Sequence, residues 1–340
     1  MNLRRAFSPL RLAVAGVMAL LIAVVVLLTT SSNEYLLVPD KAHPLANLVT
    51  VPGATKTDPS GGIYYVDVLE RKASLLERLF PGLREGSTLV QHEDLTPPGV
   101  TDAQRLEADQ LDMRQSQQLA SAVALRALGY KIRIRPQGVR VALVYGQTHS
   151  RGILRPDDVI VSADHKPVHS TIDLHELLAR HRVGDRVPIT FVRNGQRHNV
   201  TITTSADPLD STRAILGIQP QEAIELQVPF KIAFNLGNVG GPSAGLAFAL
   251  QILEERGRDV DHGYKVAATG VIGSDGSVGQ IGGIKQKTIG ARRAHVDVFL
   301  VPAGDNYLEA RKYAHGLRII PVKTFQQALQ KLATLPQRRS

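Results

Sequence analysis

The run from Leu12 to Thr30 carries no charged residue and is built mainly of Leu, Val, Ala and Ile. Roughly 20 apolar residues in succession are long enough to span a bilayer as one helix. Arg4, Arg5 and Arg11 precede the run. That excess of positive charge puts the N-terminus in the cytoplasm and everything after Ser31 outside it, an extracytoplasmic location. A cleaved signal peptide is the competing reading, because Thr29-Thr-Ser-Ser32 is small enough to cut. The apolar run exceeds a usual signal core, so retention as a membrane anchor is expected.

The second constraint is the stretch Asn238-Val-Gly-Gly-Pro-Ser243-Ala-Gly-Leu. Glycines such as Gly241 let the backbone turn tightly, and Pro242 suits a helix's first turn, where a missing N–H costs nothing. The spacing of Ala244, Ala247, Leu250 and Leu253 predicts a helix ending near Gly257. Ser243 then sits at a helix N-terminus, near backbone N–H groups that can stabilise developing negative charge. Alone, this is an ordinary capping arrangement. In Gly282-Gly-Ile-Lys-Gln-Lys287-Thr-Ile-Gly-Ala-Arg-Arg-Ala294, however, a helical wheel puts Ile284, Lys287, Ala291 and Ala294 on one face. Lys287 is thus expected to be buried, and Lys285 to meet water. A buried lysine loses charge and can act as a general base for a serine.

Gly-Pro-Ser243-Ala-Gly, Thr269-Gly270 and Gly282-Gly-Ile-Lys-Gln-Lys287, in that order, resemble the proteolytic domain of Lon proteases. The resemblance runs from about Leu216 to Leu332 and includes Val301-Pro302, Asn306, Leu317-Arg-Ile-Ile-Pro-Val322 and Phe325 to Leu332. It implies Ser243 as nucleophile and Lys287 as its partner. Thr269 is implied to orient the lysine, although a threonine is also an ordinary strand residue. Gly241, Pro242 and Ala244 are expected to support the site, with backbone N–H groups between Val239 and Ala244 holding an oxyanion. One departure stands out: Lon proteases usually carry an acidic residue where this chain has Gly240.

Between the two motifs and the apolar run the chain changes character twice. Short strands are predicted at Leu48–Val51 and Ile63–Val68, separated by turns that include Pro59-Ser-Gly-Gly62. An amphipathic helix is expected over Ser74–Leu83. A long helix is expected from a Thr101 or Asp102 cap to Leu128, its apolar face including Leu106, Met113, Leu119, Val123 and Leu128. Met113-Arg-Gln-Ser116 resembles a helix that precedes the catalytic region in Lon proteases, with Ser116 expected to pack. From Ile132 to Ser205 strands dominate, with one helix over Thr171–Arg180 and a hairpin turning at Asn194-Gly195. This region resembles the PDZ domains of bacterial proteases, most specifically in Gly152-Ile-Leu-Arg-Pro-Asp-Asp-Val-Ile160. Such domains bind extended peptides by strand addition, and Gln137-Gly-Val139 is taken as the carboxylate-binding loop. A rigid spacer that binds nothing is the other reading of this region.

The expected fold class is therefore α+β. Residues 1–33 form a cytoplasmic stub and transmembrane helix, and 34–130 an α+β segment of the protease fold. A PDZ domain, a small barrel-like β domain with helices, takes 131–206, and a Lon-type proteolytic domain 207–335. The expected function is an ATP-independent serine endopeptidase acting on extracytoplasmic or membrane-associated proteins. These 340 residues contain no Gly-x4-Gly-Lys-Ser/Thr sequence, so no ATPase module is encoded in them. Two other classes remain: a catalytically silent PDZ-bearing membrane scaffold, and a small-molecule kinase whose glycine turn cradles phosphate.

Composition narrows the chemistry further. With no cysteine, disulfides, thiol nucleophiles and thiolate metal sites are excluded. His165 and His169 come nearest to ligand spacing but lack a third partner, so neither metal nor cofactor is expected. The net charge of +9 is accompanied by only 5% aromatics and no tryptophan. Membrane-proximal basic residues and a solvated surface explain it better than nucleic acid does. The expected partners are protein or peptide substrates, through the PDZ domain among other routes. Ring-forming relatives also leave a homo-oligomer as one expectation.

Overall fold

The computed structural model describes residues 9–55, 61–208 and 210–337. Arg4 and Arg5, Arg338 and Arg339, and Pro59-Ser60 of the expected turn lie outside the described residues.

The apolar run forms a single helix, Pro9–Thr29, of 21 residues. Its window Leu12–Thr29 has a mean hydropathy of 2.9 and none of it is buried. That is the length and composition of a membrane-crossing helix. There is no linker after it: the strand Ser31–Pro39 starts at once. This strand is the centre of a three-stranded antiparallel sheet, flanked by Val68–Ser74 and Thr88–Val90.

A second sheet organises the chain's two ends into one body. Its strands run in the order His43–Pro44, Gly62–Tyr65, Lys265–Ala268, Val298–Pro302, Arg318–Val322, all parallel except the first pair. Alternation along the strands sends side chains to both faces. Ile63, Tyr65, Val266, Ala268, Val298 and Leu300 pack against the helices Gly245–Glu255 and Phe325–Ala333. Ala267, Phe299 and Val301 face the other way, against Ile284 and Ala291 of the helix Ile284–Arg293 and Ala310 of Asp305–Tyr313. The sheet is thus covered on both sides, as parallel strands require. The long helix Asp102–Ala127, capped by Thr101 and Gln104, lies beside Gly245–Glu255.

The segment expected as one strand over Ile63–Val68 is broken. Tyr65 pairs with Ala268 in the parallel sheet, whereas Val68 pairs with Pro39 in the antiparallel one. Val66 and Asp67 make the crossing. The amphipathic helix expected over Ser74–Leu83 shrinks to Leu75–Leu79 and a turn at Pro81–Leu83. Leu106, expected on the apolar face of the long helix, is exposed; Ala108 and Leu111 are buried instead.

The middle of the chain folds around its own core of Val139, Ile160, Leu174, Ile189, Phe191 and Ile202. Its sheet runs Gln196–Thr203, Arg186–Arg193, Val159–Ala163, Arg133–Val144, Ile218–Gln227. The hairpin turn falls at Asn194-Gly195 with both residues at positive φ, as such turns demand. Gln137-Gly-Val139 lies within Arg133–Val144, where Val139 pairs with Ile160 on one side and Glu222 on the other. The segment is thus strand and not loop, although of the three residues Val139 alone is paired on both sides. The last strand, Ile218–Gln227, sits at the edge of this sheet and leads directly towards the serine motif.

Candidate active site

The helix that follows the serine begins at Gly245, with Ala244 as its cap. Pro242 therefore precedes the helix and does not occupy its first turn. The reason lies in the carbonyl of Ser243, which accepts from the Gly270 N–H at 2.8 Å and the Thr269 hydroxyl at 3.1 Å. The first helical acceptor is instead the Ala244 carbonyl, bonded by the Phe248 N–H. Gly241, at φ 82°, turns the chain, and its N–H donates to the Asp109 carbonyl at 2.8 Å. The Ser116 hydroxyl donates to the Pro242 carbonyl at 2.9 Å. Two residues of the long helix thus hold the loop from behind. A Cβ at Gly240 would stand 2.8 Å from that of Asp109, so there is no room for an acidic side chain at this position.

The lysine approaches from the opposite face of the parallel sheet. Gly283, at φ 67°, precedes the helix Ile284–Arg293, in which Ile284, Lys287 and Ala291 are buried. Asn306 fixes the approach by bonding both the N–H and the carbonyl of Ile281. Lys285 meets water only in part. It is half-buried, and its ammonium donates to the Ser87 carbonyl and the Thr88 hydroxyl.

The two helices bring Lys287 Nζ to 2.6 Å from Ser243 Oγ. Thr269, fully buried at the C-terminal end of the strand Lys265–Ala268, has its hydroxyl 3.5 Å from the same Nζ. In open parallel sheets this end of the strands is where ligands bind. Burial pushes Lys287 down to about 8, against the carboxylate of Asp67, which pulls it up. Asp67 is itself raised, mainly by burial and by the neighbouring Asp40.

Ser243 and Lys287 open into a groove of about 540 Å³ whose walls include Leu37, Asp67, Leu69, Leu95, Val239 and Gly283. Of these, Leu37, Asp67, Leu69 and Leu95 come from the N-terminal segment and were not singled out in the sequence. Asp67 is placed by the strand break, a feature with no local signature. Asp40, His43 and Asp67 bring three ligand-type atoms within 4.8 Å of one another beside the groove. Two of these atoms already pair, His43 Nε2 with Asp40 Oδ2 at 3.1 Å. His165, by contrast, lies between the short strands of the middle sheet, away from this site.

Two protein-family models match parts of the chain. Residues 219–334 match the Lon protease (S16) C-terminal proteolytic domain, and residues 117–204 match a PDZ domain. A Lon protease of Mycoplasma pneumoniae is 38% identical over 96 residues, 27% of this chain and 12% of that protein. Lon protease 2 of Bacillus subtilis is 34% identical over 99 residues, 29% of this chain and 17% of that protein. The match thus spans less than a fifth of either relative. The PDZ domain of an SdrC-like protein from Listeria monocytogenes is 22% identical, covering 25% of this chain and 87% of that one, with a TM-score of 0.23. Behind one apolar helix long enough to cross a membrane, the chain joins a PDZ domain to a Lon-type C-terminal proteolytic domain.

Proposed function

We propose that this chain is a membrane-anchored serine endopeptidase in which Ser243 is the nucleophile and Lys287 its general base. The observation that carries this reading is a 2.6 Å contact between a serine hydroxyl and a buried lysine, at the wall of a groove. Neutral Lys287 takes the Ser243 proton as Oγ attacks the scissile carbonyl carbon. The resulting ammonium returns that proton to the departing amine, and water releases the acyl group by the same route in reverse. The Gly241 N–H is engaged by Asp109, so the N–H groups of Ser243 and Ala244 are the donors for the oxyanion. Thr269 holds the Ser243 carbonyl and steadies the lysine.

The catalytic body draws strands from residues 34–130 and from 207–335, except that Ile218–Gln227 joins the sheet of the PDZ domain that lies between them in sequence. In this reading the PDZ domain presents protein or peptide segments to the groove. Strand addition needs a free edge; the sheet ends in Gln196–Thr203 on one side and in Ile218–Gln227 on the other, where the Glu222 carbonyl already accepts from Gln115. The body faces the extracytoplasmic side, and no nucleotide takes part. The test is incubation of the full chain with an unstructured protein and identification of new termini by mass spectrometry. New termini from the parent that are absent with Ser243→Ala support the reading. Intact substrate from the parent, correctly folded, turns the assignment to a PDZ-bearing scaffold.

The electrostatics of the groove set a pH dependence. Lys287 serves as base only when neutral, so cleavage rises with pH through a midpoint near 8. The Asp67 carboxylate favours the charged lysine, so Asp67→Asn moves this midpoint to lower pH while leaving the alkaline plateau in place. A pH–rate profile whose midpoint stays put or moves up removes Asp67 from this role.

A further inference from the structure

Large apolar side chains left in water as a cluster ask for an explanation, whereas single ones do not. Leu79, Phe80 and Leu83 form such a cluster, with exposures of 62%, 59% and 55%. They occupy the end of the helix Leu75–Leu79 and the turn Pro81–Leu83 that follows it. Other exposed apolar residues outside the first helix, such as Ile172 and Leu308, belong to separate elements of the fold.

The position of the cluster is fixed by the first helix. The Leu75 N–H donates to the carbonyl of Thr30 at 2.9 Å, and Ser74 pairs with Ser31. The short helix packs beside Pro9–Thr29. The tip therefore starts one hydrogen bond beyond the end of the apolar span. Five helical residues rise about 7.5 Å. A headgroup layer is about 5–8 Å thick on each side of the hydrocarbon core. Because the short helix also packs beside Pro9–Thr29, the tip lies at the level of that layer while the span occupies the core.

The base of the tip is rigid and cationic. The buried carboxylate of Glu77 accepts from Arg71, from Arg84 and from the backbone N–H and hydroxyl of Ser74. These partners hold Glu77 far below the usual carboxylate range. One carboxylate shared by two guanidinium groups leaves positive charge around an apolar point, the pattern of a segment that lies in a lipid interface.

We propose that Leu79, Phe80 and Leu83 form a wedge inserted in the headgroup layer of the leaflet where the Pro9–Thr29 helix ends. The wedge gives the folded body a second lipid contact and sets its tilt. This inference rests on the reading of Pro9–Thr29 as a membrane span, and the experiment separates the two.

The chain has no cysteine, so a single introduced cysteine accepts a fluorophore at one place only. Phe80→Cys, Val17→Cys and Leu308→Cys are labelled in the full chain and reconstituted in nanodiscs of phosphatidylcholine and phosphatidylglycerol. Each is challenged with lipid-borne nitroxide and with aqueous iodide. Leu308 is as exposed as Phe80 but lies on another helix, and Val17 reports the span. The labels at Phe80 and Val17 should be quenched by nitroxide and protected from iodide several-fold relative to Leu308. If Phe80 follows Leu308 while Val17 stays protected, the wedge is wrong and the span stands. If Val17 also follows Leu308, the span fails and the wedge with it.

Discussion

Ser243→Ala is expected to reduce cleavage of an unstructured protein by about 10³-fold or more, with folding unchanged. The serine side chain is small and partly exposed in its loop, and the loop itself is held by other groups. Ser116, Asp109, Thr269 and Gly270 bond its backbone, so the hydroxyl can be removed without releasing the turn. Lys287→Met should cost about 10²–10⁴-fold, the usual range for a lost general base. The double variant should be no worse than the poorer single one, because the two groups act as a unit. Steady-state rates for the three variants check this. A Lys287→Met enzyme at parental rate would remove the lysine from the chemistry while leaving the serine in question.

The second large effect concerns placement. Gly290, within one turn of Lys287 on the same helix, lies against the backbone of Asp40. A Cβ there would overlap the Asp40 carbonyl oxygen, and the Gly290 carbonyl accepts from the Ala42 N–H. Backbone cannot yield as a flexible side chain does, so Gly290→Ala must push the helix away from the N-terminal segment. The expected cost is about 1–3 kcal/mol of stability, typical of overpacking a close contact. The shift also lengthens the 2.6 Å contact of Lys287 with Ser243. A displacement of about 1 Å at a reacting group can lower kcat by about 10²-fold. Thermal unfolding and kcat, measured on one preparation, test both halves. A variant as stable and active as the parent would show that the helix has slack at this contact.

The parts of this site that could be read from the sequence are those encoded by short-range pattern. The glycine-proline turn announces itself, and the 3.6-residue period picks Lys287 over Lys285 as the buried lysine. The period does not say what covers the remaining face. Lys285 is drawn partly out of water by Ser87 and Thr88, residues of a strand no helical wheel includes. The strand Ser31–Pro39 carries no strand signature at its start, because Ser31-Ser-Asn-Glu34 is polar and neither β-branched nor aromatic. Asp67 was hidden for a different reason: its place depends on which sheet each of its neighbours joins. Pro242 shows the limit of local rules. Its ring suits a helix start, yet tertiary bonds to the Ser243 carbonyl delay the helix to Gly245. In the middle of the chain, turn chemistry found the hairpin. Gln137-Gly-Val139, expected as a loop, is strand because its pairing partners Ile160, Glu222 and Ala223 lie far off in sequence.

The absence of a linker after Thr29 has a consequence for what can be cut. Ser31 continues the apolar helix, and Leu37 of the same strand forms a wall of the groove. An extended strand advances about 3.3 Å per residue, so Leu37 stands no more than roughly 20 Å from the end of the apolar helix. A loop of equal length would let that height wander; a strand tied at Ser31 and paired on both sides over Tyr35–Leu37 holds it. On the proposed reading of a membrane-anchored endopeptidase, this spacing would act as a depth gauge. A polypeptide emerging from the same membrane would reach this height after about six extended residues, and bonds closer to the surface would pass beneath the serine.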